Sequence, residues 1–177
     1  EELRHAHDVL AEVYADRLAN IVDEMPIERA VLGVLRDLLL ESAVGTSVGD
    51  IGCGTGRLAP FLASCGLAPH GVDLSPEMIR VARRDYPGFP FDVADLRKLP
   101  FGDSSLSGVI CWYSLMYLAP VDRAGAFGEL ARVVRPGGFS LRHSKQATTW
   151  FGAVDARWTS VSSSTSTGPR PPRCRGR

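Results

Sequence analysis

Apolar side chains recur at helical spacing along the N-terminal part of the chain, in two stretches separated by Pro26. Residues three and four apart lie on one face of a helix, and proline is tolerated in a first helical turn. The stretches comprise Leu10, Val13, Tyr14, Leu18, Ile21 and Val22, then Ile27, Val31, Val34, Leu35, Leu38 and Leu39. The pattern therefore predicts two amphipathic helices within residues 1–45.

From residue 46 onward, short apolar runs alternate with helical patterns. Runs of strand length cover residues 46–51, 70–74, 89–93, 106–112 and 139–143. Among the helices between them, one begins at Ser75-Pro76 with an N-cap and a first-turn proline, and one over 121–134 ends at the Arg-Pro-Gly-Gly turn of 135–138. Strands that alternate with helices form a parallel sheet. We predict an α/β fold, Rossmann-like and doubly wound, with a mostly parallel sheet and helices on both faces.

The pattern fails beyond about residue 144, where the chain is rich in Ser, Thr, Pro and Arg. Residues 1–140 carry 13 basic and 19 acidic side chains, whereas residues 141–177 carry 7 and 1. We therefore expect one domain over residues 1–143, with its core at 46–143 and its C-terminal strands incomplete. Residues 144–177 are expected to form an irregular tail, either disordered or produced by a shifted reading frame.

Composition excludes several classes of protein. The 177 residues are 45% hydrophobic, but no apolar run is long enough to span a membrane, and the first residues do not resemble a signal peptide. The four cysteines form no C-x-x-C pair, the four histidines are dispersed, and the basic tail has no interleaved aromatic residues. We expect a cytoplasmic protein without a metal site, membrane association or nucleic-acid partner.

A glycine-rich turn directly follows the first predicted strand. Gly52, Gly54 and Gly56 form G-x-G-x-G, whereas a dinucleotide fingerprint requires G-x-G-x-x-G, and Arg57 occupies the position of its third glycine. Asp50 would repel a pyrophosphate but suits a ligand with an ammonium group. The turn therefore favours a nucleoside that carries an amino acid over a dinucleotide.

Asp73 ends the second predicted strand, at the sheet edge where ligands bind in such folds. A carboxylate there can accept hydrogen bonds from both hydroxyls of a ribose. We therefore expect the ligand to contain a ribose.

Four motifs follow one another in order: D-I-G-C-G-T-G, G-V-D-L-S-P-E-M, D-V-A-D-L-R-K-L-P-F-G-D-S-S-L-S-G-V-I and R-V-V-R-P-G-G. Over residues 10–140 this set resembles the class I S-adenosylmethionine-dependent methyltransferases, of the type called methyltransferase domain 11. That family has a seven-stranded sheet whose last two strands form an antiparallel hairpin after a further helix. No such helix or hairpin is predicted here.

The resemblance implies S-adenosylmethionine as the cofactor and a role for individual residues. The methionine part would lie against Asp50, Gly52, Cys53, Gly54 and Gly56, the ribose against Asp73, and the adenine against Leu74, Met78, Asp95 and Leu96. Cys111, Trp112 and Tyr113 would line the methyl-donor pocket, and Tyr14 would close it. These positions form the predicted cofactor site.

The implied function is methyl transfer to a small-molecule acceptor by SN2 displacement, in which alignment in a dry pocket supplies much of the acceleration. The acceptor atom, a general base and the oligomeric state are left open. Two alternatives are kept: a domain that binds the cofactor but is catalytically impaired, and a NAD-dependent oxidoreductase.

Overall fold

In this computed structural model the described residues are 2–18, 24, 26–144, 147–154 and 157–161, with side chains up to Arg142. Within them the strands form one sheet in the order β3-β2-β1-β4-β5-β6-β7. The strands are β1 (Ser47–Ile51), β2 (Ala68–Asp73), β3 (Phe91–Val93), β4 (Leu106–Trp112), β5 (Val134–Ser144), β6 (Ala147–Val154) and β7 (Arg157–Val161). The helices are α1 (Glu2–Leu18), α2 (Pro26–Glu41), α3 (Leu58–Ser64), α4 (Pro76–Asp85), a 3₁₀ helix (Leu115–Tyr117) and α5 (Pro120–Val133).

Strands β1 to β5 are mutually parallel, and the chain reverses direction across the sheet at β1. It runs outward from β1 through β2 to β3 and then returns to β4 on the other side of β1. A crevice opens at such a switch point, at the carboxyl ends of the strands. This topology confirms the predicted doubly wound fold and places the ligand-binding edge beyond β1, β2 and β4.

Alternation along β4 explains how both faces of the sheet are covered. Ile110 and Trp112 pack with leucines of α2 and α3, whereas Val109 and Cys111 pack with α5. Successive strand residues point to opposite faces, and every residue of β4 is buried. The continuous apolar run of 106–112 predicted a strand buried on both faces, and β4 is buried on both faces.

The Arg-Pro-Gly-Gly turn lies inside β5 rather than before it. Val134 already pairs with Leu106, and the ladder resumes with Phe139 opposite Gly108. Gly137 has φ +80°, a left-handed conformation suited to glycine. The predicted start of this strand at residue 139 is therefore too late, because a turn signal cannot distinguish a loop from an irregularity within a strand.

Beyond β5 the structure differs from the sequence-based expectation of irregular chain from residue 144. Ser144 pairs with Ala147, so β6 returns antiparallel to β5 without an intervening helix, and β7 pairs antiparallel with β6. The Thr-Thr-Trp-Phe run of 148–151 has high strand propensity, which an argument from the composition of the whole tail underweights. The expectation for residues 162–177 lies outside the described residues and stays a prediction.

In the part of the chain that the structure describes, the helices are too short or too polar to span a bilayer.

Candidate functional site

A cavity of about 600 Å³ opens at the carboxyl ends of β1, β2 and β4. Its walls come from α1, from the loops after the first four strands, and from the start of α5. The sequence-predicted site residues that line it are Tyr14, Gly52, Cys53, Gly54, Asp73, Leu74, Met78, Asp95, Leu96, Trp112 and Tyr113. The fold therefore gathers residues from five separate segments around one space.

Three of the predicted residues do not line this cavity. Asp50 and Gly56 lie beneath its floor, in β1 and in the turn. Cys111 was expected in the methyl-donor pocket, but it is fully buried against α5, on the face of β4 opposite to that of Trp112. Alternation along the strand therefore corrects the expectation for Cys111.

The glycines of the turn serve different purposes. A Cβ at Gly56 would lie 2.6 Å from Phe91 Cζ and 3.0 Å from Ala82 Cβ, and one at Gly52 would overlap Ser114. At Gly54, by contrast, the nearest atom would be Met78 Sδ at 4.0 Å. Gly52 and Gly56 thus allow close packing within the protein, whereas Gly54 leaves backbone exposed to a ligand in the cavity.

Asp50 is 1% exposed, and neither of its carboxylate oxygens has a hydrogen-bond partner among the described residues. Burial raises the pKa of Asp50 from 3.8 to about 7, while the positive charge of Arg57 lowers it and Asp73 raises it. A buried carboxylate without a partner is costly and is uncommon in proteins. Its position under the glycine turn fits a ligand that brings a cation or a hydrogen-bond donor.

Arg57 supplies a complementary charge to the same end of the cavity. Its side chain lines the cavity, and Nη1 is buried without a hydrogen-bond partner among the described residues. Asp50 and Arg57 together provide one anionic and one cationic group, which suits the ammonium and carboxylate groups of a free amino acid. In the sequence alone, Arg57 is only a departure from the dinucleotide fingerprint.

Backbone donors hold Asp73 in place. The amide of Gly54 donates to Oδ2 and that of Ser75 to Oδ1, each at 2.9 Å. Burial raises the pKa of Asp73, and the hydrogen bonds from these amides oppose that rise. The carboxylate keeps free lone pairs for the hydroxyls of a ribose.

Asp95 is hydrogen-bonded to Arg97, which is not among the site residues predicted from the sequence. The backbone amide of Arg97 donates to Oδ1 at 2.8 Å, and its guanidinium donates to Oδ2 at 2.6 Å. Hydrogen bonding to Arg97 lowers the pKa of Asp95. Asp95 thus presents to the cavity a carboxylate whose two oxygens both already accept hydrogen bonds from Arg97.

The wall beyond the turn contains a strained residue. Tyr113 has φ +60°, a conformation that side chains larger than glycine rarely adopt, and its hydroxyl donates to Glu28 Oε1 at 3.2 Å. Glu28 is 4% exposed, so this contact links the end of β4 to the inner side of α2. Strain of this kind concentrates at functional sites.

Helix α1 closes the cavity by packing on α4. The hydroxyl of Ser75 donates to Asp8 Oδ1 at 2.5 Å, and Glu12 pairs with Arg80 and Arg84. This packing brings His7 and Tyr14 to the cavity. The two residues are seven positions apart, about two helical turns, and so lie on the same face of α1. That spacing could have identified His7 from the sequence as a neighbour of the predicted site residue Tyr14. In the sequence His7 stands out only as a possible metal ligand, a role that its dispersed position argues against.

Within the described residues, His, Cys, Asp and Glu side chains form no group of three suited to a metal ion.

Comparisons with known proteins agree with this geometry. The profile of the family described as "Methyltransferase domain" matches residues 48–138. A protein named O-methyltransferase from Pyrenophora dematioidea is 33% identical over 64% of this chain and 44% of its own length. A demethylmenaquinone methyltransferase from Chlorobaculum parvum is 38% identical over 50% of this chain and 36% of its own length.

The chain thus spans less than half the length of these curated relatives. Among solved structures, a protein from Methanosarcina mazei described as a SAM-dependent methyltransferase superposes with a TM-score of 0.53 at 28% identity. That superposition covers 55% of this chain and 51% of the other. The predicted resemblance is confirmed: the chain belongs to the methyltransferase domain family of class I S-adenosylmethionine-dependent methyltransferases, whose cofactor is S-adenosylmethionine.

Proposed function

We propose that this chain binds S-adenosylmethionine and transfers its methyl group to a small-molecule acceptor. The observation that carries the proposal is the buried carboxylate of Asp50, which has no hydrogen-bond partner among the described residues and lies under a glycine turn next to Arg57. An amino-acid ligand would supply the missing partner for each side chain. Family membership supports the same ligand.

Each part of the ligand corresponds to a residue of the site. Asp50 would accept a hydrogen bond from the methionine ammonium, and Arg57 would bind the methionine carboxylate. Asp73, oriented by the amides of Gly54 and Ser75, would accept from the ribose hydroxyls. Leu74, Leu96 and Met78 would contact the adenine, beside Asp95.

S-adenosylmethionine supplies a methyl group on an activated, positively charged sulfur. Alignment of the acceptor and exclusion of water are therefore the main requirements that the chain must meet for an SN2 displacement. The aromatic residues after β4 and the cover provided by α1 can do both.

The acceptor is proposed to be small and partly apolar. Aliphatic and aromatic side chains dominate the wall that faces away from the turn, among them Leu3, Trp112, Met116 and Leu118. Of the two relatives described above, one is named only for oxygen as the acceptor atom and the other for demethylmenaquinone as the acceptor, so these names do not identify the acceptor of this chain. A cytoplasmic location and the absence of a nucleic-acid partner remain predictions from the sequence.

The proposal is tested by calorimetric titration of the chain with S-adenosylhomocysteine, the demethylated product. We expect binding by the wild type and a loss of at least about tenfold, or about 1.4 kcal/mol, in Asp73→Asn. Asp92→Asn, a matched change on neighbouring strand β3 outside the cavity, should bind like the wild type.

NAD is titrated in parallel to separate the oxidoreductase alternative. Binding of NAD in preference to S-adenosylhomocysteine, or no binding of the latter by a folded chain, would contradict the proposal. Product binding without methyl transfer to any acceptor would favour the catalytically impaired alternative.

A further inference from the structure

His7 has a defined tautomer in the cavity wall. Its Nδ1 lies 2.8 Å from the carbonyl oxygen of Leu3, one turn earlier in α1. A carbonyl oxygen can only accept a hydrogen bond, so Nδ1 carries the proton of this contact. In the neutral imidazole, Nε2 then carries a lone pair and can accept a proton.

His7 lies between the proposed cofactor end of the cavity and its apolar end. The imidazole meets the ring of Tyr117 edge to face, with ring centroids 5.1 Å apart and an interplanar angle of 87°. Once it has accepted a proton, the imidazole is also close enough to Asp73, the proposed ribose ligand, to interact favourably with that carboxylate. His7 therefore lies beside the region where a methyl donor and an acceptor would meet.

Neighbouring contacts fix this position. Asp8, the next residue in α1, accepts a hydrogen bond from Ser75, which is the N-cap of α4. Tyr14 lies 6.4 Å from the imidazole, centroid to centroid, and packs on the buried Met78 and Val81. A catalytic group held on a rigid, docked helix keeps its geometry from one turnover to the next.

Charged and titratable groups surround the imidazole. Arg4 and Asp8 are its neighbours on α1, Asp73 faces it from the end of β2, and Tyr117 faces it from the 3₁₀ helix. Asp95, Arg97 and Asp122 also line the cavity, but Arg97 pairs with both of these acids. The carboxylates of Asp95 and Asp122 are therefore already engaged by a cation.

We propose that His7 is a catalytic base that accepts a proton from the hydroxyl of a flat, apolar acceptor of the phenol or enol class. The inference rests on the proposed function. The acceptor oxygen forms a bond to the methyl carbon as the carbon–sulfur bond breaks, and the bonding pair stays on sulfur. The hydroxyl proton passes to Nε2 of His7 and from there to solvent, so charge and atoms balance.

The acceptor class follows from the wall around His7. Tyr117 and Met116 line the cavity and are 46% and 40% exposed, and Trp112 and Leu118 line it as well. Aromatic and thioether side chains favour flat apolar ligands. A phenolic or enolic hydroxyl is weakly nucleophilic until it loses its proton, so a base beside such a wall serves this class of acceptor.

The test compares His7→Asn with His5→Asn. The asparagine amide can keep the hydrogen bond to the Leu3 carbonyl but offers no counterpart of Nε2, and His5 is exposed on the same helix outside the cavity. Phenol and 4-nitrophenol serve as acceptors with S-adenosylmethionine, since 4-nitrophenol ionises at mildly alkaline pH without help. For His7→Asn we expect a loss of kcat/KM of about 100-fold with phenol and a much smaller loss with 4-nitrophenol.

A second readout does not depend on turnover. In the complex with S-adenosylhomocysteine, the visible absorption of bound 4-nitrophenol reports how much of it is ionised. At mildly acidic pH the wild type and His5→Asn should hold more of the ionised form than His7→Asn does.

Failure of the inference is distinct from failure of the proposed function. If S-adenosylhomocysteine binds normally but both acceptors lose rate equally in His7→Asn, or the bound probe is equally ionised in all three proteins, His7 is not a base. Failure to methylate either acceptor would overturn the acceptor class. Loss of S-adenosylhomocysteine binding by the wild type would instead contradict the proposed function.

Discussion

At the scale of single residues, Asp50 connects the stability of the protein to its proposed ligand. Its pKa is raised from 3.8 to about 7 in the folded chain, because burial disfavours the charged form. A folded pKa above the unfolded one means that the folded state binds more protons, so stability falls as pH rises between these two values. This is the reverse of the usual contribution of a carboxylate held by a cation.

We therefore predict that Asp50→Asn stabilises the chain increasingly as pH rises. Relative to the wild type, its free energy of unfolding should gain on the order of 3 kcal/mol between about pH 5 and about pH 8, since the variant has no charge to bury. Urea unfolding at both pH values measures this, with the exposed Asp16→Asn as the control. Parallel pH dependence in the variant and the wild type would contradict it.

The sequence could identify residues such as Asp50 and Asp73 but not their surroundings. Their places after two strands were readable from the apolar runs, and the fold brings Asp73 within hydrogen-bond distance of Gly54. That Asp50 has no hydrogen-bond partner among the described residues, and that Nη1 of the Arg57 guanidinium is buried, depends on packing that no local pattern encodes. For His7 the seven-residue spacing from Tyr14 was a usable signal, but only the docking of α1 shows that this face of the helix lies on the cavity.

At the scale of elements, the contact between α1 and α4 determines whether α1 covers the cavity. Asp8 links the two helices through the N-cap of α4, and exposed ion pairs of Glu12 with Arg80 and Arg84 add little to this link. Ala11, Met78 and Val81 form the buried apolar part of the contact. The polar contact of Asp8 is thus the part of this link that can be removed without opening a cavity in the core.

Replacing Asp8 by alanine should loosen α1 without unfolding the sheet. We expect S-adenosylhomocysteine affinity to fall about fivefold and the free energy of unfolding to fall by about 1 kcal/mol, because α4 keeps its own cap at Ser75. Hydrogen exchange should rise in α1 while β1 and β4 keep their protection. Asp16→Ala on the same helix is the control, and unchanged exchange in α1 would contradict the expectation.

Elements with strong local signals were predicted best. The N-cap and proline that open α4 are where the sequence placed them, and the apolar run of 106–112 coincides with β4. The start of β5 was misplaced because pairing of Val134 with Leu106 is a long-range event. The turn chemistry of Gly137 was readable, but its place within a strand was not.

At the scale of the whole molecule, the cavity and the C-terminal strands are separate parts of the chain. The described residues that line the cavity lie between positions 3 and 122, whereas β6 starts at Ala147 and β7 at Arg157. These two strands cover the edge that β5 would otherwise present to solvent. They were not expected from a tail whose overall composition resembles disordered chain.

Removal of the residues after Ser144 should therefore leave ligand binding nearly unchanged but lower the solubility of the chain. The shortened chain should bind S-adenosylhomocysteine within about threefold of the full chain, because it keeps every described residue that lines the cavity. It should also associate at lower concentration, because the edge of β5 becomes free to pair. Calorimetry and light scattering on both chains test the two parts, and a folded, monomeric but non-binding product would contradict the first.

The glycine turn also bears on how this sequence can change over evolutionary time. A side chain at position 56 collides with Phe91 and Ala82, and the φ of +78° also favours glycine, so a smaller residue at 91 would relieve only the collision. At position 54 the φ of +55° likewise favours glycine, but among the described residues the nearest atom to a Cβ would be Met78 Sδ at 4.0 Å. Substitutions at 56 should therefore be the rarer, because they require a left-handed side chain together with changes in β3 or α4, whereas a side chain at 54 must tolerate the left-handed backbone and avoid the bound molecule.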